Sequence, residues 1–143
     1  MIISTKGRYG LRILIDLAMH KDEGFLPLND ISKRQDISKK YLEQIVPVFV
    51  KAGILRTNRG SQGGYQLAQS PDKITISDVL RLTEGDFSPV PCVGCEPSEC
   101  NRKEQCQTIA VWQGLYDVVN NYLGNITLQD IADRQNSSDN YII

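Results

Sequence analysis

The stretch "ISKKYLEQIVPVFVKAGILRTNRGSQGGYQLA", residues 37–68, limits the fold more than any other part of the chain. Ser38 opens it as a residue suited to capping a helix. Tyr41, Leu42, Ile45, Val46, Phe49 and Val50 then recur at three- and four-residue intervals, the spacing of one buried helical stripe. Gly53 closes the helix. Pro47 lies inside it and lacks an amide donor, so a kink or tighter helical geometry is expected near Glu43 and Gln44. Two short strand-like runs follow, Ile54–Thr57 and Tyr65–Leu67, joined by a polar, glycine-rich turn.

Two helices precede this stretch. "STKGRYGLRILIDLAMHKDEG" begins with Ser4 as cap, places Tyr9, Ile13, Leu14 and Leu17 at helical spacing, and ends before Gly24. His20, the only histidine, falls in its last turn, where a cation suits the helix dipole, so capping outranks a ligand role. A shorter helix follows Pro27, with Leu28 and Ile31 apolar and "QDIS" as the break. Three helices and then a hairpin is the order of a winged helix-turn-helix. The hairpin tip carries Arg59 among Gly60, Gly63 and Gly64. Glycines allow close backbone approach, and an arginine held there suits a DNA minor groove.

Downstream, Ser77 or Thr75 caps a short helix with Ile76, Val79, Leu80 and Leu82 inward and Gly85 at its end. A proline-interrupted loop of about twenty residues follows, a length usually tied to function. From about Glu104 to Leu123, Ile109, Trp112, Leu115, Tyr116, Val119, Tyr122 and Leu123 mark a long helix. Its apolar surface exceeds what one small domain needs, which points to dimerisation over simple core packing. Thr127 caps a last helix with Leu128 and Ile131 apolar, and "NSSDNYII" carries no clear pattern.

Net charge is −1, but residues 1–60 carry eleven Lys and Arg against six Asp and Glu, whereas residues 61–143 carry five against eleven. A basic first half suits a polyanion. In a recognition helix the exposed N-terminal residues face DNA. Here these are Ser38, Lys39, Lys40, Glu43 and Gln44. Gln pairs with adenine and Glu accepts from cytosine, whereas lysines hold phosphates. At the start of the first helix, Ser4, Thr5, Lys6, Arg8 and Tyr9 offer amides, hydroxyls and charge to a phosphate.

All four cysteines lie in "CVGCEPSECNRKEQC", residues 92–106, spaced C-x2-C-x4-C-x5-C. No apolar run is long enough for a membrane span, and "MIISTKGRYG" lacks signal-peptide features. The expected location is therefore the reducing cytoplasm, which disfavours a structural disulfide. Metal or cluster binding is the leading reading, with a disulfide or inert thiols behind it. Four thiolates suit an iron–sulfur cluster. Zinc also takes four, typically from two separated C-x-x-C pairs, and this chain has one such pair.

"STKGRYGLR", "ISKKYLEQIV", "AGILRTNRGSQGGYQL" and "LTEG" together resemble the Rrf-type (BadM-like) winged-helix transcription regulators. The cysteine segment with "VWQGL" and "NITLQDI" resembles their IscR-type iron–sulfur branch. The CymR-type repressors of cysteine metabolism are similar in the N-terminal half. The resemblance covers about residues 1–134. It implies a mainly α fold, a winged helix-turn-helix plus a long C-terminal dimerisation helix that crosses its partner. It also implies a homodimer, binding to double-stranded DNA, and sensing through a [2Fe-2S] cluster. Carried over residue by residue, the cluster falls on Cys92, Cys100 and Cys106, the wing arginine is Arg59, and recognition falls to Ser38, Tyr41, Glu43 and Gln44. Family members with three cysteine ligands often carry a histidine three residues after the last; here that position is Ile109. Cys95 is the first choice for the fourth ligand, with Glu96, Glu99, Glu104 or a residue of the partner subunit as fallback.

The expected organisation is a DNA-binding domain over 1–85, a cysteine-rich sensor loop over 86–104, and a dimerisation helix with C-terminal helix over 105–143. Two competing functions remain open: a repressor switched by thiol oxidation or zinc, and a small iron–sulfur electron carrier. The carrier leaves the helix-turn-helix, wing and basic half without purpose. No nucleophile and base constellation supports an enzyme.

Overall fold

A computed structural model describes residues 1–94 and 101–139. The elements run α1 (Thr5–Met19), α2 (Leu28–Gln35), α3 (Lys39–Lys51), β1 (Leu55–Asn58), β2 (Gly64–Leu67), α4 (Ile76–Glu84), α5 (Ile109–Gly124) and α6 (Leu128–Asp139).

The first helix begins where Ser4 Oγ accepts the Gly7 amide at 3.1 Å. It ends at His20, whose Nδ1 lies 2.7 Å from the Asp16 carbonyl, so the capping role holds. Ile13, Leu14 and Leu17 enter the core against Ile31 of α2 and Leu42, Ile45, Val46 and Phe49 of α3. Gly10 makes the close crossing possible, since a Cβ there would sit 2.8 Å from Phe49 Cζ. Between α2 and α3 the chain reverses at Asp36, whose φ of +52° is left-handed. Asp tolerates this conformation better than most residues. Ser38 then caps α3, accepting the Tyr41 amide at 3.2 Å.

No tighter turn appears around Pro47: α3 is helical from Lys39 through Lys51. Pro47 is exposed, so the carbonyl one turn earlier is left on the solvent side rather than buried without a partner. The hairpin pairs Leu55 with Leu67, Arg56 with Gln66, Thr57 with Tyr65 and Asn58 with Gly64. Leu26 docks this wing, exchanging two backbone hydrogen bonds of 2.9 Å with Tyr65.

Downstream, the structure settles some alternatives and corrects other expectations. The cap of α4 is Thr75, in a reciprocal box with Asp78, and Ser77 lies buried inside the helix. Leu82 is exposed rather than inward. Residues 86–94 form a loop, as expected, and it buries Phe87 and Val93. Helix α5 starts at Ile109 rather than near Glu104, because Cys106 is extended and separates it from a 3-10 turn at Lys103–Gln105. Helix α6 is capped by Thr127 and Asp130 and packs Leu128 and Ala132 into the core. It continues to Asp139, farther than its apolar pattern indicated.

Candidate nucleic-acid interface and cysteine segment

The stripe that buries α3 leaves Ser38, Lys39, Lys40, Glu43 and Gln44 exposed on the other side. Ser38 is engaged as the cap. The side chains of Lys39, Lys40, Glu43 and Gln44 make no hydrogen bond or ion pair among the described residues. Polar side chains held on a rigid helix without internal partners are ready to bond an outside surface. Tyr41 behaves differently. It is half-buried and meets Tyr9 edge to face, ring centroids 5.5 Å apart. This pair joins the second turn of α1 to the first turn of α3. Arg12 adds to the joint, lying 5.2 Å over the Tyr9 ring and bonding the Gln35 carbonyl at the end of α2.

On the wing, Arg59 is exposed and unpartnered, and Gly60 has a left-handed φ of +111°. The other two glycines serve the fold. A Cβ on Gly63 would lie 2.9 Å from the Gly60 carbonyl oxygen, and one on Gly64 would strike the Leu26 carbonyl. These two close approaches are internal and fix the wing that carries Arg59.

At the start of α1, Lys6 is half-buried and Arg8 is exposed, its Nη2 donating to Thr5 Oγ1 at 2.9 Å. Ser4 is occupied internally: its amide donates to Glu84 Oε1 at 3.1 Å and its hydroxyl to the same oxygen at 2.5 Å. Glu84 was not singled out from the sequence.

A second unforeseen contact fixes the helix-turn-helix to α1. Asp16, 3% exposed, accepts from Arg34 Nε at 2.9 Å and Nη2 at 2.7 Å, and from Gln35 Nε2 at 3.1 Å. The Asp16 hydrogen bond raises the Arg34 pKa above its ordinary value. The available signal was an acid inside the apolar run of α1, beside Ile15 and Leu17.

Of the cysteines, Cys92 and Cys106 are half-buried free thiols. Cys95 and Cys100 lie outside the described residues, as do Glu96 and Glu99. Among the described residues no three His, Cys, Asp or Glu side chains gather as a metal site. Cys106 Sγ lies 3.4 Å from Thr108 Oγ1, and this hydrogen bond holds the thiol below its usual pKa. Thiolate is the form that binds iron or zinc. A four-thiol segment therefore has the donor chemistry of an iron–sulfur site. Glu104 is exposed in the turn before Cys106, and Ile109 begins α5. His20 stays with Asp16, away from this segment in the chain.

The segment is anchored on its N-terminal side. Arg81 of α4 lies 3.6 Å from the Asp86 carboxylate and 5.1 Å over the Phe87 ring. Tyr116 of α5 donates to Asp86 at 2.9 Å, which raises the Tyr116 pKa. On α5 itself, Val111, Leu115, Val118 and Tyr122 are exposed, Val118 and Tyr122 to about two thirds (65% and 66%). No helix among the described residues is long and apolar enough to cross a membrane.

The Rrf2 family model, described as an iron-dependent transcriptional regulator, matches residues 3–134. The transcriptional regulator CymR of Bacillus subtilis is 41% identical over 92% of this chain and 90% of its own length. Its structure, that of the global cysteine regulator, superposes with a TM-score of 0.77 at 40% identity, covering 94% of this chain and 98% of that one. The transcriptional regulator IscR of Erwinia tasmaniensis is 36% identical over 97% of this chain and 88% of its own. The structure of T. potens IscR matches 100% of this chain and 93% of that one, with TM-score 0.76 and 33% identity. A winged fold with a free polar row on its third helix, matched nearly end to end by named regulators, places this chain in the Rrf2 family of transcriptional regulators.

Proposed function

We propose that this chain is a cytoplasmic, homodimeric, sequence-specific DNA-binding regulator whose cysteine segment holds a [2Fe-2S] cluster. The observation that carries DNA binding is the row of unpartnered polar side chains on α3, followed in the chain by a wing that carries an exposed, unpartnered Arg59. Glu43 and Gln44 offer acceptors and donors to base edges. Lys39, Lys40, Lys6 and Arg8 offer charge to phosphates, and Arg59 to the minor groove. Ser38, Tyr41 and Ser4 act indirectly by holding these helices in place.

The dimer reading rests on α5, which buries none of its residues in the single chain and exposes Val111, Leu115, Val118 and Tyr122. A second copy of the same helix would remove this face from water. Cys92, Cys100, Cys106 and Cys95 would hold the cluster, with Glu104 as a substitute fourth ligand. Bound there, the group supplies a redox centre and the free energy that orders its ligands. Phe87 lies under Arg81 of α4 and Asp86 accepts from Tyr116 of α5, so the order of this segment bears on both helices.

A second reading, a thiol-switched repressor without a cluster, is favoured by the 41% identity to the cysteine regulator CymR and by the free thiols. Protein purified without oxygen and reconstituted with ferrous iron and sulfide separates the two. Visible absorbance with two iron and two sulfide per chain supports the cluster, its loss in Cys95→Ala assigns the fourth ligand, and colourless protein that still shifts DNA leaves the thiol switch.

A further inference from the structure

We propose that Glu84 is a positioning residue that straps the start of α1 to the cysteine-bearing segment, so that a change in that segment reaches the Lys6–Arg8 turn. This rests on the DNA-binding reading above and adds a transmitting contact to it.

The bond runs between distant parts of the chain. One carboxylate oxygen of Glu84 accepts both the Ser4 amide at 3.1 Å and the Ser4 hydroxyl at 2.5 Å. The same hydroxyl oxygen accepts the Gly7 amide at 3.1 Å. Glu84 therefore acts directly on the residue that starts α1 and, through it, on the first helical turn. Negative charge at a helix N-terminus is also favoured by the helix dipole. The space is made for it: a Cβ on Gly7 would collide with the Glu84 carboxylate, so glycine there lets α4 come this close.

Glu84 is the last residue of α4, and Gly85, with a left-handed φ of +79°, leads directly into the cysteine segment. The opposite attachment lies one turn back on the same short helix. Arg81 reaches Asp86 at 3.6 Å, covers Phe87 and bonds Ser77 at 3.3 Å, while Asp86 accepts Tyr116 at 2.9 Å. Gly94, two residues beyond Cys92, is packed so closely on Asp86 and Tyr116 that a Cβ would collide with the Asp86 carboxylate. One end of α4 thus grips both the segment holding Cys92 and the residue that starts α1. A shift of the segment by a change at its thiols loads Arg81 and Gly85, and Glu84 passes that load to Ser4. Such coupling is read as a perturbation that appears at both ends.

The test is amide hydrogen exchange on the full-length protein in three states: apo, reconstituted with ferrous iron and sulfide, and alkylated at its thiols with iodoacetamide. In the wild type, residues 4–8 are expected to change protection along with residues 86–94. In Glu84→Ala the response at 86–94 persists and the response at 4–8 is lost. Glu84→Gln, which keeps an acceptor oxygen, restores it at least in part. Ser4→Ala checks the same bond from the other side and gives the proposal a second variant should Glu84→Ala not fold. DNA affinity follows: the ratio between states, on the order of fivefold or more in the wild type, falls toward one in Glu84→Ala. If residues 4–8 do not respond in the wild type, or respond equally in Glu84→Ala and Ser4→Ala, the strap is refuted. Failure to take up iron would sink the cluster reading and leave the strap to the alkylated state. Absence of DNA binding would sink the regulator reading and leave the exchange result to decide the strap.

Discussion

Removing Asp16 and removing Arg34 break the same ion pair, yet the structure predicts unequal costs. The carboxylate of Asp16 is 3% exposed and the side chain of Arg34 is 32% exposed. In Asp16→Ala the orphaned guanidinium turns into water. What is lost is a bidentate charge-assisted pair and the Gln35 bond, offset by relief of a desolvated carboxylate, for a net of about 1–2 kcal/mol. In Arg34→Ala the carboxylate stays buried with Gln35 Nε2 at 3.1 Å as its remaining side-chain hydrogen bond and His20 Nδ1 at 4.0 Å. Leaving a buried charge unpaired costs about 3–5 kcal/mol. For a chain of this size roughly 3 °C accompanies each kcal/mol, so the two variants should melt on the order of 5–10 °C apart. The assay is thermal unfolding followed by circular dichroism at one fixed protein concentration, because self-association would otherwise shift the midpoint. Both variants should also weaken DNA binding, since this pair sets α2 against α1. An Asp16→Ala penalty equal to or larger than that of Arg34→Ala would refute the burial argument.

Three further outcomes are expected. Gly64→Ala places a Cβ against the Leu26 carbonyl and should undock the wing, losing two backbone bonds worth about 2 kcal/mol together and exposing the Leu26 and Tyr65 amides to exchange. On the recognition helix, Gln44→Ala should cost about 1–3 kcal/mol at preferred sites and relax specificity, whereas Lys39→Ala should weaken all sites alike and reduce the salt slope by about one; identical behaviour would undo the division of roles. Tyr116 contributes stability that is complete below the ordinary phenol pKa and is lost as pH rises through its raised folded value. Tyr116→Phe should therefore flatten the alkaline end of the stability profile measured by urea unfolding.

Much of the fold follows from short-range chemistry. Ser4 and Ser38 cap the helices their side chains announce, the apolar stripes of α1 and α3 enter the core, and the glycine turn makes a hairpin. These features depend on neighbours a few residues apart. The contacts that orient the elements span longer distances and left weaker traces. Asp16 meets Arg34 from 18 residues away, and Ser4 meets Glu84 from 80. In a linear reading Asp16 is a polar interruption and Glu84 an ordinary surface acid. The wing glycines stand out in the sequence but their internal neighbours do not, because sequence shows the missing side chain without showing what fills its place. The late start of α5 also escaped, since periodicity reports a helical face and not the extended Cys106 that delays it.

The central claim is that the state of the cysteine segment sets how the α3 row and the wing meet DNA. The most direct measurement titrates one protein preparation, half reconstituted with ferrous iron and sulfide and half apo, against genomic duplexes that the protein itself has selected, at a single salt concentration. The account predicts tight, salt-sensitive, sequence-selective binding whose affinity or site preference differs between the halves by on the order of fivefold or more. Equal affinity of both halves for every duplex, with the iron-loaded state verified by its absorbance, would contradict it.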